Sequence, residues 1–196
     1  MATLPSRREA THDRIVEVAS RAVRCQGYAG VGVADVMKQA GLTHGGFYAH
    51  FASRDAMLVE AIERAGLDSS AALARRTHAR QAQGASAFRA LIEQYLSESH
   101  LAETETGCVV AALASDTPRQ SPAVRQASAA RVRKLVAVVQ RSLAPGRDKG
   151  DGKASALFIA STLVGALQLA RTLGSNVQGK AVLAATRRAL LDQYDA

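Results

Sequence analysis

Gly41 stands between two short stretches of helical patterning, Val33 to Ala40 and Thr43 to Phe51, and leaves the chain little choice of local arrangement. A glycine at the end of a helix takes the positive φ that turns the backbone out of it, so a second helix can begin within two residues. Val36, Ala40, Leu42 and Phe47 then pack the two segments on each other and on a preceding helix, with Phe51 inward as well. Thr43, His44, Gly46, Tyr48 and His50 fall on the outer face. Short polar groups at a helix N-terminus, flanked by donors to phosphate, are what entry into a DNA major groove requires.

The rest of the chain repeats the helical theme. From Arg7 to Gln26 the apolar residues Ile15, Val18, Ala19, Ala22 and Val23 recur at three and four, and Gly27 ends that helix. Thr43 is the expected N-cap of the outward helix; Ser53 caps a fourth that runs to about Arg80, with Asp55 favouring the dipole of its first turn. Further segments are broken near Glu103 to Gly107, Asp116 to Pro122, Pro145 to Gly152 and Gly174 to Gly179. No strand-length run alternates with period two. With 47% hydrophobic but only 4% aromatic residues, the core must be built from Ala, Leu and Val, which suits packed helices. The expected fold is all-α, about nine helices, divided into a three-helix module at 1–52 and a larger helical domain at 53–196.

Net charge is a weaker guide. The formal +8 invites a nucleic-acid partner, yet residues 1–64 carry a net of only +1 and the remainder +7. Arg119 to Lys153 holds 9 basic and 2 acidic residues and reads as a solvated face. Cys25 and Cys108 make no disulfide framework, and with no leader sequence a reducing cytoplasm is the expected compartment. The uncharged run Ala154 to Ala170 is 17 residues long and includes Ser155, Ser161, Thr162 and Gln168, so it reads as a buried helix rather than a membrane span. Six residues apart, His44 and His50 face different ways, and neither a metal site nor a cofactor is expected.

The block Ala40 to Phe51, of the form Ala-Gly-Leu-Thr-x-Gly-Gly-Phe-Tyr-x-His-Phe, resembles the DNA-binding region of TetR-type regulators, and the likeness extends over roughly Arg7 to Glu63. The resemblance implies a helix-turn-helix in which Thr43, His44 and Gly46 face bases while Tyr48, His50 and Arg54 bond phosphate oxygens. Where many relatives have Thr or Ser before the second helix this chain has Val31 and Gly32, so Gly32 offers only its amide to phosphate. It implies too a homodimer built from the last two helices, Lys153 to Leu173 and Lys180 to Tyr194, on a near-palindromic double-stranded operator, released by a small-molecule effector of unknown identity. Repression is the usual outcome in such proteins; activation or dual control is the alternative.

The effector region is marked only faintly. Tyr95, His100 and Gln168 are polar groups able to line an apolar pocket, as is His78. Cys108 opens the segment Gly107 to Leu113, where a helix N-terminus can favour a reactive thiolate, although Glu103 and Glu105 oppose it and a small buried hydrophobe is the simpler role. Cys108 with His100 as base would make a nucleophilic pair, but no motif supplies an orienting acid or oxyanion hole, and the chain is not expected to be an enzyme. A helical interaction module with a coincidental turn is the other rival, opposed by the length of the Ala40 to Phe51 block.

Overall fold

The computed structural model describes residues 6–143 and 152–195, and among them the chain is all-helical. Helix α1 (Arg7–Gly30) opens with a capping box in which Ser6 and Glu9 satisfy each other's backbone amides. Gly27 breaks it at φ 67°, where the sequence places the end of the helix, and a last turn follows. Helix α2 (Val33–Gln39) runs to Ala40 and Gly41, the latter at φ 71°. The segment after Gly41 differs from expectation: His44–Ala49 is a 3-10 helix rather than an α-helix, and Thr43 precedes it without a side-chain cap. Two adjacent glycines in six residues give up α-helical propensity, and the tighter winding still lets Phe47 turn inward.

Helix α3 (Arg54–Gln81) starts on Ser53, whose hydroxyl accepts from the Ala56 amide at 3.1 Å, a cap that contributes about 1 kcal/mol. Its first half lies on α1, with Met57, Leu58, Ala61, Ile62 and Ala65 fully buried. Its second half lies on α4 (Ala87–Tyr95) and α7 (Pro122–Ser142). The short α5 (Glu98–Ala102) and α6 (Val109–Leu113) follow α4, a 3-10 turn Thr117–Arg119 precedes α7, and α8 (Gly152–Leu173) and α9 (Val177–Tyr194) pair as a hairpin. The break expected from Pro145 lies outside the described residues until Gly152.

Two apolar cores result. One gathers α1, α2, the 3-10 turn, the start of α3, α6 and the start of α7. The other gathers α4, α5, α8, α9 and the end of α7. Cys108, Leu135 and Val164 touch both. Helix α8 is long and apolar enough to cross a membrane, but Ala156, Ile159, Leu163, Leu167 and Ala170 are buried within this fold. Its opposite face exposes Leu157, Phe158 and Leu169.

Candidate functional site

The outward turn is held from behind. Phe47 is 1% exposed and stacks on Phe51 with centroids 5.4 Å apart, and Phe51 in turn stacks on His12 of α1 at 4.6 Å. Arg8 donates to the Ala49 carbonyl at 2.8 Å, and His12 pairs with Glu60 of α3 at 2.6 Å. Opposite this anchor Thr43, His44 and Gly45 are exposed, and the ring of Tyr48 stands 71% exposed. Its edge rests on the buried Phe47 ring, centroids 5.3 Å apart, so the exposed hydroxyl-bearing side chain is fixed at its base and open to solvent.

Three residues of the expected reading surface take different positions. Gly46 turns inward: a Cβ built on it would lie 3.6 Å from Met37 Cε and 3.9 Å from Thr43 Oγ1, whereas one on Gly45 would meet nothing. The 3-10 winding sets Gly46 over Met37 of α2 and leaves Gly45 on the open side. His50 is half-buried, its Nδ1 enclosed without a partner, and desolvation, with help from His12 and Arg8, lowers its pKa. Arg54 is a brace: its Nε donates to the Val31 carbonyl at 2.9 Å and its Nη2 to that of Tyr28. Two of its donors therefore hold the end of α1 on α3. Gly32 does sit as the N-cap of α2, with its carbonyl taken by the Val36 amide.

Behind the outward turn, the residues expected to line an effector pocket partly converge. Tyr95, His100 and Cys108 line one small cavity between α3, α7 and the α5–α6 loop. Gln168 does not join them; its Nε2 donates to the Ala111 carbonyl at 3.1 Å and ties α8 to α6. His78 is exposed on α3 and apart from the cavity. The His100 ring is fully committed. Nε2 accepts the Cys108 backbone amide at 3.0 Å, which leaves the proton on Nδ1 to be donated to the Tyr95 carbonyl at 2.7 Å. Burial lowers its pKa, so the neutral ring is favoured. A nucleophilic Cys108–His100 pair needs a free ring nitrogen facing sulfur, and this ring has none to give.

The loop itself is tied down from two helices. Arg171 of α8 donates through Nη2 to the carbonyls of His100 and Glu103, each at 2.9 Å. Arg76 of α3 grips the Glu103 carboxylate with two bonds of 3.1 and 2.6 Å. The Tyr95 hydroxyl is buried beside the Cys108 thiol with no oxygen or nitrogen partner.

Residues 15–61 match the family described as bacterial regulatory proteins, tetR family, and residues 84–183 match the C-terminal domain of LmrA/YxaF-like transcriptional regulators. The chain belongs to the TetR family. It is a DNA-binding transcriptional regulator. An uncharacterized HTH-type transcriptional regulator of Mycobacterium tuberculosis is 28% identical over 166 residues, covering 81% of this chain and 83% of the relative. A TetR-family regulator from Agrobacterium tumefaciens superposes with a TM-score of 0.74 at 25% identity, covering 95% of this chain and 98% of the other. The reduced form of Escherichia coli NemR superposes at 0.72 with 22% identity, covering 91% and 96%.

In this TetR-family chain the sequence missed two features of the site. Gly45, not Gly46, is the open glycine, and only the 3-10 winding shows it. Arg131, inside the basic stretch read as a solvated face, is 9% exposed and lines the same cavity as Cys108. The Tyr95 hydroxyl, with only the weakly bonding Cys108 thiol beside it, gives a direct test, since a buried hydroxyl without an oxygen or nitrogen partner costs about 1–3 kcal/mol. Tyr95→Phe is therefore expected to leave the unfolding free energy unchanged or to raise it, by up to about 1 kcal/mol after repacking. A loss above about 2 kcal/mol in denaturant titration would show that the hydroxyl has a partner.

Proposed function

We propose that this chain is a homodimeric repressor that holds a near-palindromic operator through the Thr43 to Tyr48 face and lets go when a small molecule enters the cavity beside α6. The observation that carries the reading is the outer face itself: Thr43, His44, Gly45 and Tyr48 lie exposed on a turn whose Phe47 is locked in the core. Thr43 and His44 read base edges, while Tyr48, the Gly32 end of α2 and any free donor of Arg54 reach phosphates. Arg54 acts chiefly by positioning. Residues 1–52 form the reading module and 53–196 the effector and dimer domain, with α3 as the shared strut between them.

The dimer reading rests on the exposed apolar face of α8, where Phe158 and Leu169 lie in one line with Leu157 to one side, continued by Leu173 and Val177 at the turn into α9. A twin helix hairpin would cover that face and set two reading turns about 34–36 Å apart, one turn of DNA. The working compartment is the cytoplasm, where the operator is. Because Cys108 lines the small cavity at the junction of both cores, which shares Val109, Val110 and Arg131 with the larger one, modification of its thiol would act from next to the ligand. Cys108→Ser separates the two routes: release by an electrophile is lost, release by a ligand is kept.

Footprinting of the upstream region of its own gene tests the central claim. A protected near-palindrome is expected. On that site Tyr48→Phe should weaken binding by about tenfold on every sequence, the value of one hydrogen bond to a charged group. His44→Ala should instead change which base is preferred at one position. If both variants bind like the wild type, the outward turn does not read DNA in this orientation.

A further inference from the structure

Arg131 is the anomaly of the regulatory half. It lies on α7, is 9% exposed, and its Nε is enclosed with no hydrogen-bond partner. The other arginines of this interior are engaged: Arg76 with the Glu103 carboxylate, Arg171 with the carbonyls of His100 and Glu103, Arg24 with that of Ala65. Among the described residues no carboxylate comes within ion-pair distance of Arg131. An arginine cannot shed its proton to escape burial, so a guanidinium nine-tenths buried, with its Nε enclosed and no counter-charge beside it, is unfavourable as it stands.

The fold nevertheless makes room for it. Arg131 crosses α3 over Gly66, where a Cβ would lie 2.3 Å from Arg131 Cδ and 3.0 Å from its Nη1. From that shelf it reaches two cavities. One is the small space beside Tyr95 and Cys108; the other, of about 400 Å³, lies between α3, α6 and α7. The larger is walled by Ile62, Val109, Leu113, Ala129 and Val132, has Arg125 as well as Arg131 on its lining, and has no acidic residue there. That size is within the range of small-molecule sites. Mainly apolar walls, whose Thr117 and Ser128 hydroxyls are engaged by that of Tyr28, together with one mostly buried, unpaired cation define the chemistry of an occupant.

We propose that the cavity between α3, α6 and α7 takes an apolar monocarboxylate, whose carboxylate pairs with Arg131 while its hydrocarbon or aromatic body fills the Ile62 to Val132 walls. This rests on the reading of the chain as an effector-controlled regulator and names the class of effector. Arg131 offers a planar fork that matches a carboxylate in two bonds. Arg125, exposed on the same lining, adds a weaker, solvated attraction.

The test uses the full chain, titrated calorimetrically with decanoate and 4-phenylbutyrate and, for each, the alcohol of the same skeleton. The acids are expected to bind with Kd below about 1 mM and at least about tenfold more tightly than the alcohols. Arg131→Met should abolish the preference for acid, and Arg125→Met should keep it. Arg131→Met without ligand should melt at or above the wild-type temperature, because it removes a buried charge that nothing in the chain compensates. Equal binding of acid and alcohol, absence of binding to both acids up to about 10 mM, or a clear fall in the melting temperature of Arg131→Met would each overturn the assignment. Binding of the upstream DNA by the ligand-free protein is measured separately. Loss of that binding would count against the regulator reading and leave the carboxylate site standing, while carboxylate failure with intact DNA binding would do the reverse.

Discussion

Phe47→Ala is expected to destabilise the protein by about 3–5 kcal/mol and to abolish operator binding. Phe47 is 1% exposed and stands in a line of rings that runs from Tyr48 through Phe51 to His12. Truncation removes the apolar transfer energy of the ring and leaves a cavity under a turn that has few other fastenings: the Arg8 bond to Ala49 and the backbone bonds to Thr43 and Phe47. The backbone there is a 3-10 turn with two glycines, too short and too weak in propensity to hold itself. For a chain of this length the loss corresponds to roughly 2–4 °C per kcal/mol in melting temperature. A shift under about 3 °C with operator binding preserved would mean the turn is fastened by something other than this ring. Tyr48→Ala is the informative contrast, since its exposed ring should cost binding and almost no stability.

What could be read from the sequence follows from how local each feature is. The inward direction of Phe47 and Phe51, the glycine stops at 27 and 41, and the Ser53 cap depend on residues within one turn, and all appear where the pattern puts them. The winding of His44–Ala49 depends on energy differences of about 1 kcal/mol per glycine, which a periodicity count does not weigh. That winding turns Gly46 toward Met37 and leaves Gly45 open. The half-burial of His50 depends on α1, whose His12 ring lies 5.9 Å from its own across some forty residues of sequence. The resemblance implies a phosphate contact for Arg54, and it does not show that Nε and Nη2 also donate to the Val31 and Tyr28 carbonyls at the end of α1. Arg131 is the plainest case. Within a run of basic residues one arginine reads like another, and only the bare backbone of Gly66 across the interface shows which one is inside. The TetR-type block carries the family; the cavities lined by Arg131 have no comparable motif, because tertiary contacts between α3, α6 and α7 build them.

The second large effect is expected at Gly107→Ala. A Cβ there would fall 2.3 Å from the Glu103 carbonyl oxygen, 2.6 Å from Arg171 Nη2 and 3.2 Å from His100 Cδ2. The first of these is backbone, which cannot rotate away, and the second belongs to the guanidinium that holds the loop through two carbonyls. Relief requires the α5–α6 loop to move, which lengthens the Arg171 bonds and pulls the Cys108 amide from His100 Nε2. Losing those bonds in a buried setting, together with overpacking, should cost about 3 kcal/mol or more. Displacement of this loop also withdraws Glu103 from Arg76, so the second half of α3 loses its tie to the cavity wall. Two readouts separate stability from coupling: the free energy of unfolding should fall, and at a temperature where the variant is still folded its operator affinity should already be lowered, because α3 carries the strain to the reading turn. An operator affinity equal to wild type in the folded variant would mean that the loop and the reader are mechanically independent. A stability change under about 1 kcal/mol would mean that the loop has a second conformation able to accept a methyl group.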